Sequence, residues 1–271
     1  MTSLLRADRE LGVAPAFERR AARAQTLSRE SATARQPLEF AAGLYRAQQS
    51  MATAIQATAA AGGLVGRLDA DLDGFSAATE ILLRFVADHA PPALSEMARH
   101  SAGDALRDRL CGWWDGGGSG RDDYLARAIL RPYAEVQRAL ALPSGRGPTV
   151  GGACVFCGGL PWIAWRAASG SSEGAQRFLG CALCGGEWSV GRIRCPSCAE
   201  ERPDKLASFQ SDRHPTVRIE TCASCRAYVK SIDLTIDARA IPEVDDLLSL
   251  SMDLWAAEEG YVRIEPGLAG L

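Results

Sequence analysis

Four Cys-x-x-Cys pairs, at Cys154/Cys157, Cys181/Cys184, Cys195/Cys198 and Cys222/Cys225, constrain this chain more than any other feature. Shifting the first four cysteines by 41 positions lands on the last four, so a C-x2-C-x23-C-x2-C unit occurs twice, joined by the ten residues from Gly185 to Arg194. Two thiolates held two residues apart on a tight turn reach one tetrahedral ion, and two such turns close a four-cysteine site. The repeat predicts one ion held by Cys154, Cys157, Cys181 and Cys184, and a second held by Cys195, Cys198, Cys222 and Cys225. The competing arrangement joins Cys181/Cys184 to Cys195/Cys198 across the short segment. Spacing alone points to zinc, the usual occupant of closed tetrathiolate sites.

Disulfides do not require this regularity and belong mainly to short secreted chains. This chain has 271 residues and 47% apolar composition, enough to build real cores. No apolar run approaches the roughly 20 residues that cross a bilayer, and the start MTSLLRADRE lacks the layout of a secretory signal. The expected location is therefore the cytoplasm, where thiols stay reduced. Cys111 stands outside the repeat and reads as a small core residue. Residues 1–150 carry 18 Arg against 17 acids, while residues 151–271 carry 12 Arg and Lys against 16 acids, a net −4. No basic face is expected in the cysteine half, which argues against nucleic acid as a partner.

The first 140 residues follow helical spacing, rich in Ala and Arg. One helix is predicted over Pro37 to Ala61, with Leu38, Ala41, Ala42, Tyr45, Gln48, Ala52 and Ile55 in one stripe and Gly62-Gly63 as its stop. Another starts near Ser76 and ends at Pro91-Pro92. Asp115 to Gly120 reads as a loop, and Pro132 is expected to kink or divide the helix that follows it. Residues 142–153, dense in Pro and Gly, read as a linker across which few contacts run. Each cysteine unit is predicted to hold a hairpin: Trp162–Arg166 with Gln176–Leu179, then Lys205–Phe209 with Thr216–Ile219, and a third strand follows each at Trp188–Ile193 and Tyr228–Ile232. Residues 243–259 resume helical spacing, with Asp245, Asp246 and Asp253 expected on a solvated face.

The runs CVFCGG, CALCGGEWSVGRIRCPSC, CASCRAYVK and DDLLSLSMDLWAAEEGY, with LARAILRPYAE at 125–135, resemble formate dehydrogenase accessory proteins of the FdhE family over about residues 125 to 262. Two knuckles depart from the glycine that usually follows the second cysteine, carrying Ala199 and Arg226 instead. The resemblance implies an α+β architecture: an all-α domain (1–142), a linker (143–153), two tandem rubredoxin-like or zinc-ribbon metal modules (154–194 and 195–239), and a C-terminal helix and tail (240–271). It implies iron as the metal, two ions per chain. It further implies no catalysed reaction and a role in formate dehydrogenase maturation, with the catalytic subunit of a molybdenum- or tungsten-dependent enzyme as partner. Glu187 and Trp188 near the module junction, with Asp245 and Asp246 on the C-terminal helix, are the expected partner-binding residues, set where the modules meet the helices.

Alternatives from other classes are a zinc-ribbon nucleic-acid or transcription factor and a thiol-redox protein. Charge opposes the first. Two complete four-cysteine sets leave no spare redox pair for the second. A chaperone zinc domain of the DnaJ sort would need a CxxCxGxG repeat that is missing. The three histidines are His89, His100 and His214; His214 lies in the second hairpin turn beside Asp212 and Arg213 and reads as a solvated turn residue rather than a general base, and GxSxG and GxxxxGK[ST] motifs are absent.

Overall fold

The computed structural model describes residues 12–144, 152–168 and 174–270. Most of the expected linker and the tip of the first hairpin lie outside the described residues. The helical part comprises α1 (Val13–Glu30), α2 (Arg35–Ala60), a short α3 (Leu68–Asp71), α4 (Ser76–His89), α5 (Pro92–Arg99), α6 (Gly103–Asp115) and α7 (Tyr124–Ala139). Strands β1 (Pro161–Ala168), β2 (Ala175–Cys181), β3 (Glu187–Ser189), β4 (Leu206–Ser211), β5 (His214–Cys222) and β6 (Ala227–Asp233) follow. The chain then forms α8 (Pro242–Asp245), α9 (Leu250–Glu258) and β7 (Val262–Arg263).

The α2 stripe is buried as its spacing requires, with Leu38, Ala41, Tyr45 and Ile55 fully inaccessible. Gly62 takes φ 75° and ends the helix, because a left-handed residue lets following N–H groups turn back onto the last carbonyls. Pro91-Pro92 ends α4 but also opens α5, with Pro92 at the first helical position, where its missing N–H costs nothing. Asp123 caps α7 by accepting the Ala126 N–H at 2.9 Å.

Of the two outcomes expected at Pro132, a kink or a division, the division does not occur: α7 runs unbroken from Tyr124 to Ala139. Proline removes the donor that would satisfy the Ala128 carbonyl one turn back. Gln48 of α2 replaces it, donating from Nε2 to the Ala128 oxygen at 2.8 Å. Every residue of α7 from Leu125 to Gln137 is buried, charged ones included, so this helix lies inside the molecule.

The strands form one seven-stranded sheet in the order β3-β2-β1-β6-β5-β4, with β7 added beside β6. The 41-residue repeat carries β2 onto β5 and β3 onto β6, so each unit contributes three strands. The third strand of the second unit pairs parallel with the first strand of the first, Ile163 opposite Lys230 and Trp165 opposite Ile232. Two hairpins too small to bury a core thus share one sheet. β3 stops at Ser189, short of the expected Ile193, because the chain must leave that edge to reach the third knuckle.

The helices and the sheet share one apolar core: Phe17, Tyr45 and Tyr133 belong to the same cluster as Trp162, Ile219 and Leu247. Arg20 donates to Glu135 at 2.9 Å and pairs with Glu243, Arg131 pairs with both acids, and Arg127 meets Glu265 at 2.9 Å. The expectation of few crossing contacts fails for a physical reason: α7 carries charges on a buried face, and their partners come from the C-terminal segment.

Candidate metal centres

In three of the knuckles the first cysteine's carbonyl accepts an N–H from the residue after the second cysteine: Gly158 to Cys154 at 2.8 Å, Ala199 to Cys195 at 3.0 Å and Arg226 to Cys222 at 2.9 Å. That residue is left-handed in all four: Gly158, Gly185, Ala199 and Arg226 take φ of 67°, 60°, 62° and 59°. The two departures from glycine therefore leave the turn unaltered, at a steric cost of roughly 1–2 kcal/mol each.

Cys154, Cys157, Cys181 and Cys184 converge, as do Cys195, Cys198, Cys222 and Cys225, with the sulfurs of each set within 4.8 Å of one another. The middle knuckles do not join. In the first set Cys154 and Cys184 sulfurs are 3.5 Å apart and Cys157 and Cys181 sulfurs 3.4 Å; in the second both pairs stand at 3.7 Å. These separations exclude disulfides. A tetrahedron of sulfurs about 2.3 Å from a central ion has edges of about 3.8 Å, so both sets fit a single tetrathiolate ion. In the first set backbone N–H groups of Gly159 and Leu183 point at the Cys157 and Cys181 sulfurs at 3.4 Å, a geometry that stabilises thiolate charge. Burial raises the Cys181 thiol well above its ordinary value and lifts Cys195 to about 12, so without a cation neither ionises readily.

The two sets sit in different surroundings. All four cysteines of the first are buried beneath α7, where Arg138 donates to the Cys184 carbonyl at 2.7 Å and Gly185 closes against the Glu135 carboxyl. In the second, Cys198 is exposed and Cys225 half-buried, at the far end of the sheet.

The expected partner-binding residues do not form one surface. Glu187 lies opposite Gly180 and Trp188 opposite Leu179, so the alternation of a strand sends them to opposite faces. Glu187 borders a small cleft with Arg19, Trp165 and Glu243, where the sheet meets the helices; Trp188 packs with Leu179 and Val190 and also reaches the main core. Asp245 and Asp246 are 6% and 2% exposed, against the expected solvated face. Asp245 pairs with Arg23 and caps the Ile241 N–H at 2.8 Å. Asp246 and Asp253 pair with Lys230 and Arg263 in a closed network: Lys230 is fully buried, 2.9 Å from Asp246 and 2.6 Å from Asp253. A 3-10 turn over Asp246–Ser249 resets the helical phase, which turns the acids inward and leaves Leu254 54% exposed. Sequence reasoning missed Lys230 and Arg263. The only signal was a lysine in the middle of a predicted strand beside Val229 and Ile232, a position that demands a buried acid.

The class of protein is thus a helical domain docked on tandem four-cysteine, rubredoxin-like modules that share a sheet, followed by C-terminal helices. Residues 193–268 match the family model described as FdhE, C-terminal domain. The FdhE homologue of Aquifex aeolicus is 37% identical over 117 residues, 43% of this chain and 41% of that protein. The homologue of Edwardsiella ictaluri is 32% identical over 182 residues, 65% of this chain and 57% of that protein. The chain thus spans between about two fifths and three fifths of the length of these curated relatives. The crystal structure of the FdhE protein from Pseudomonas aeruginosa is similar over 93% of this chain and 94% of that one, with a TM-score of 0.64 and 26% identity. By these comparisons the chain is similar to FdhE proteins, in sequence over its cysteine half and in fold along nearly its whole length. Among the described residues no helix is long and apolar enough to cross a membrane.

Proposed function

We propose that the chain binds one metal ion at each four-cysteine set and serves as a non-catalytic accessory factor in formate dehydrogenase maturation, engaging the catalytic subunit. The observation that carries this reading is the convergence of eight thiols into two tetrahedral sets on a scaffold similar to an FdhE protein along nearly its whole length. Cys154, Cys157, Cys181 and Cys184 would hold one ion and Cys195, Cys198, Cys222 and Cys225 the other; four thiolates accept zinc and iron alike. Bound metal supplies folding free energy to knuckles that lack a core of their own. The first site is structural in this reading, because α7 seals it from any partner.

The catalytic subunit would be met by exposed parts of the cysteine half, with Glu187 at the cleft rim and the Cys198 knuckle at the sheet edge. Asp245 and Asp246 act beneath that surface, holding α1 and the sheet. The test is affinity capture with the metal-loaded full chain under anaerobic conditions, with metal analysis of the same sample. The reading expects two ions per chain and the formate dehydrogenase catalytic subunit among the captured proteins. Capture of other proteins without that subunit sinks it.

A further inference from the structure

The sheet face turned away from the helices carries a concavity of about 330 Å³, bordered by the segment that crosses from β3 to the third knuckle. Five arginines line it, Arg166, Arg177, Arg192, Arg194 and Arg218, against a single carboxylate, Glu220. A net charge of −4 over residues 151–271 conceals this local reversal, and the expectation of no basic face is corrected here.

The cations are not fully balanced. Arg177 pairs with Glu220 at 2.6 Å, Arg194 with Glu201 at 2.6 Å, and Arg166 approaches Asp233 only to 4.0 Å. Among the described residues neither Arg192 nor Arg218 has a carboxylate partner. Arg166 and Arg177 stand directly opposite each other across β1 and β2, where like charges are destabilising. Arg177 is only 5% exposed, and the Nε atoms of Arg177 and Arg218 are buried without a hydrogen-bond partner. A desolvated donor left unmade is costly, and the excess of guanidiniums over carboxylates along this wall is what an added acceptor would relieve.

We propose that this concavity binds a phosphate dianion, free or as the monoester end of a small molecule. Two unbalanced guanidiniums match a dianion. Phosphate also offers several oxygens in the geometry that accepts more than one planar fork, whereas a carboxylate offers two. The volume lies at the small end of the roughly 300–1,000 Å³ typical of ligand pockets, and the acidic surroundings oppose a long polyanion. The site is independent of the accessory role. Its rival is internal: Cys195 and Cys222 also line the concavity, and arginines could instead offset the charge of a tetrathiolate.

The experiment is calorimetric titration of the metal-loaded full chain with inorganic phosphate and, separately, adenosine monophosphate, at constant ionic strength, for the native protein and for Arg218→Gln and Arg192→Gln. The proposal expects saturable one-to-one binding of at least one probe, weakened about tenfold or more in each variant, with metal content unchanged. Binding of the nucleotide more tightly than phosphate assigns the monoester; the reverse assigns the free anion. The proposal is overturned if neither probe saturates, if both variants bind as the native protein does, or if the folded variants lose the second metal, which would assign the arginines to the thiolates. Arg218→Lys, which keeps the charge and removes the fork, is expected to fall between native and Arg218→Gln.

Discussion

One covalent pattern repeated at an interval of 41 residues has folded into two different environments. The first four-cysteine set is buried under α7 and tied to the helices through Arg138, while the second lies at the end of the sheet with Cys198 exposed. Ligand identity and spacing are equal, so any difference in behaviour comes from the surroundings. Buried tetrathiolates are protected from exchange and their loss is felt by everything packed on them; exposed ones can exchange, meet partners or react.

The largest effect should follow loss of a ligand in the first set. Cys181→Ser is expected to abolish folding of the sheet and loosen α7 with it, seen as loss of near-ultraviolet dichroism over the whole molecule. Cys225→Ser should release one ion and leave the helices intact. Equal damage from the two would break the comparison. The isolated fragment 1–142 sharpens it, since Arg127 and Arg131 would lose Glu265 and Glu243. That fragment should keep helical dichroism but melt without cooperativity.

Metal removal should be biphasic. With a chromophoric chelator the second ion is expected to leave at least about tenfold faster than the first, because Cys198 admits the competing ligand directly. A single phase releasing both ions would mean that the sheet opens as a unit and that exposure decides nothing.

The interface that separates the two environments can be weakened by itself. Removing one partner of a buried pair costs roughly 3–5 kcal/mol, so Glu243→Gln should lower stability strongly while both metals stay bound. Burial opposes ionisation of Glu243, but Arg131 and Arg20 outweigh it and hold the carboxyl below its ordinary value of 4.5. A depressed folded value means that the contribution is complete above the unfolded value and is lost as pH falls through the folded one. The stability gap between native protein and Glu243→Gln should therefore be constant at neutral pH and shrink below about 4.5, read from denaturant titrations across pH.

The same contrast separates what the sequence revealed from what it hid. Knuckle spacing is set by local turn geometry and needs no tertiary context, so the convergence of the eight cysteines into two groups of four was legible, as were the α2 stripe and the hairpins. The merging of two hairpins into one sheet was not, because β1 and β6 find each other across a separation that no local pattern records. Buried charge was equally opaque. Asp246 looks like any solvated acid until Lys230 and Arg263 are placed beside it, and Pro132 reads as a break until Gln48 supplies the missing donor.

The smallest effect lies in the turns. Gly158 and Gly185 close the first site with φ near 60–67°, a conformation free to glycine, whereas Ala199 and Arg226 close the second at the same angles with a Cβ in the way. The second module therefore carries steric strain that the first does not. Arg226 offsets part of its share by donating to the Gly260 carbonyl at 3.3 Å and stacking over Tyr261, 4.0 Å from the ring centre. Ala199 has only a methyl group and nothing to offset it with. Ala199→Gly is thus expected to stabilise the second module by about 0.5–1 kcal/mol, the strain relieved less the added freedom of the unfolded chain. It should also slow release of the second ion measurably without touching the first. Destabilisation by this change would show that the left-handed turn costs nothing here, and that exposure alone distinguishes the two sites.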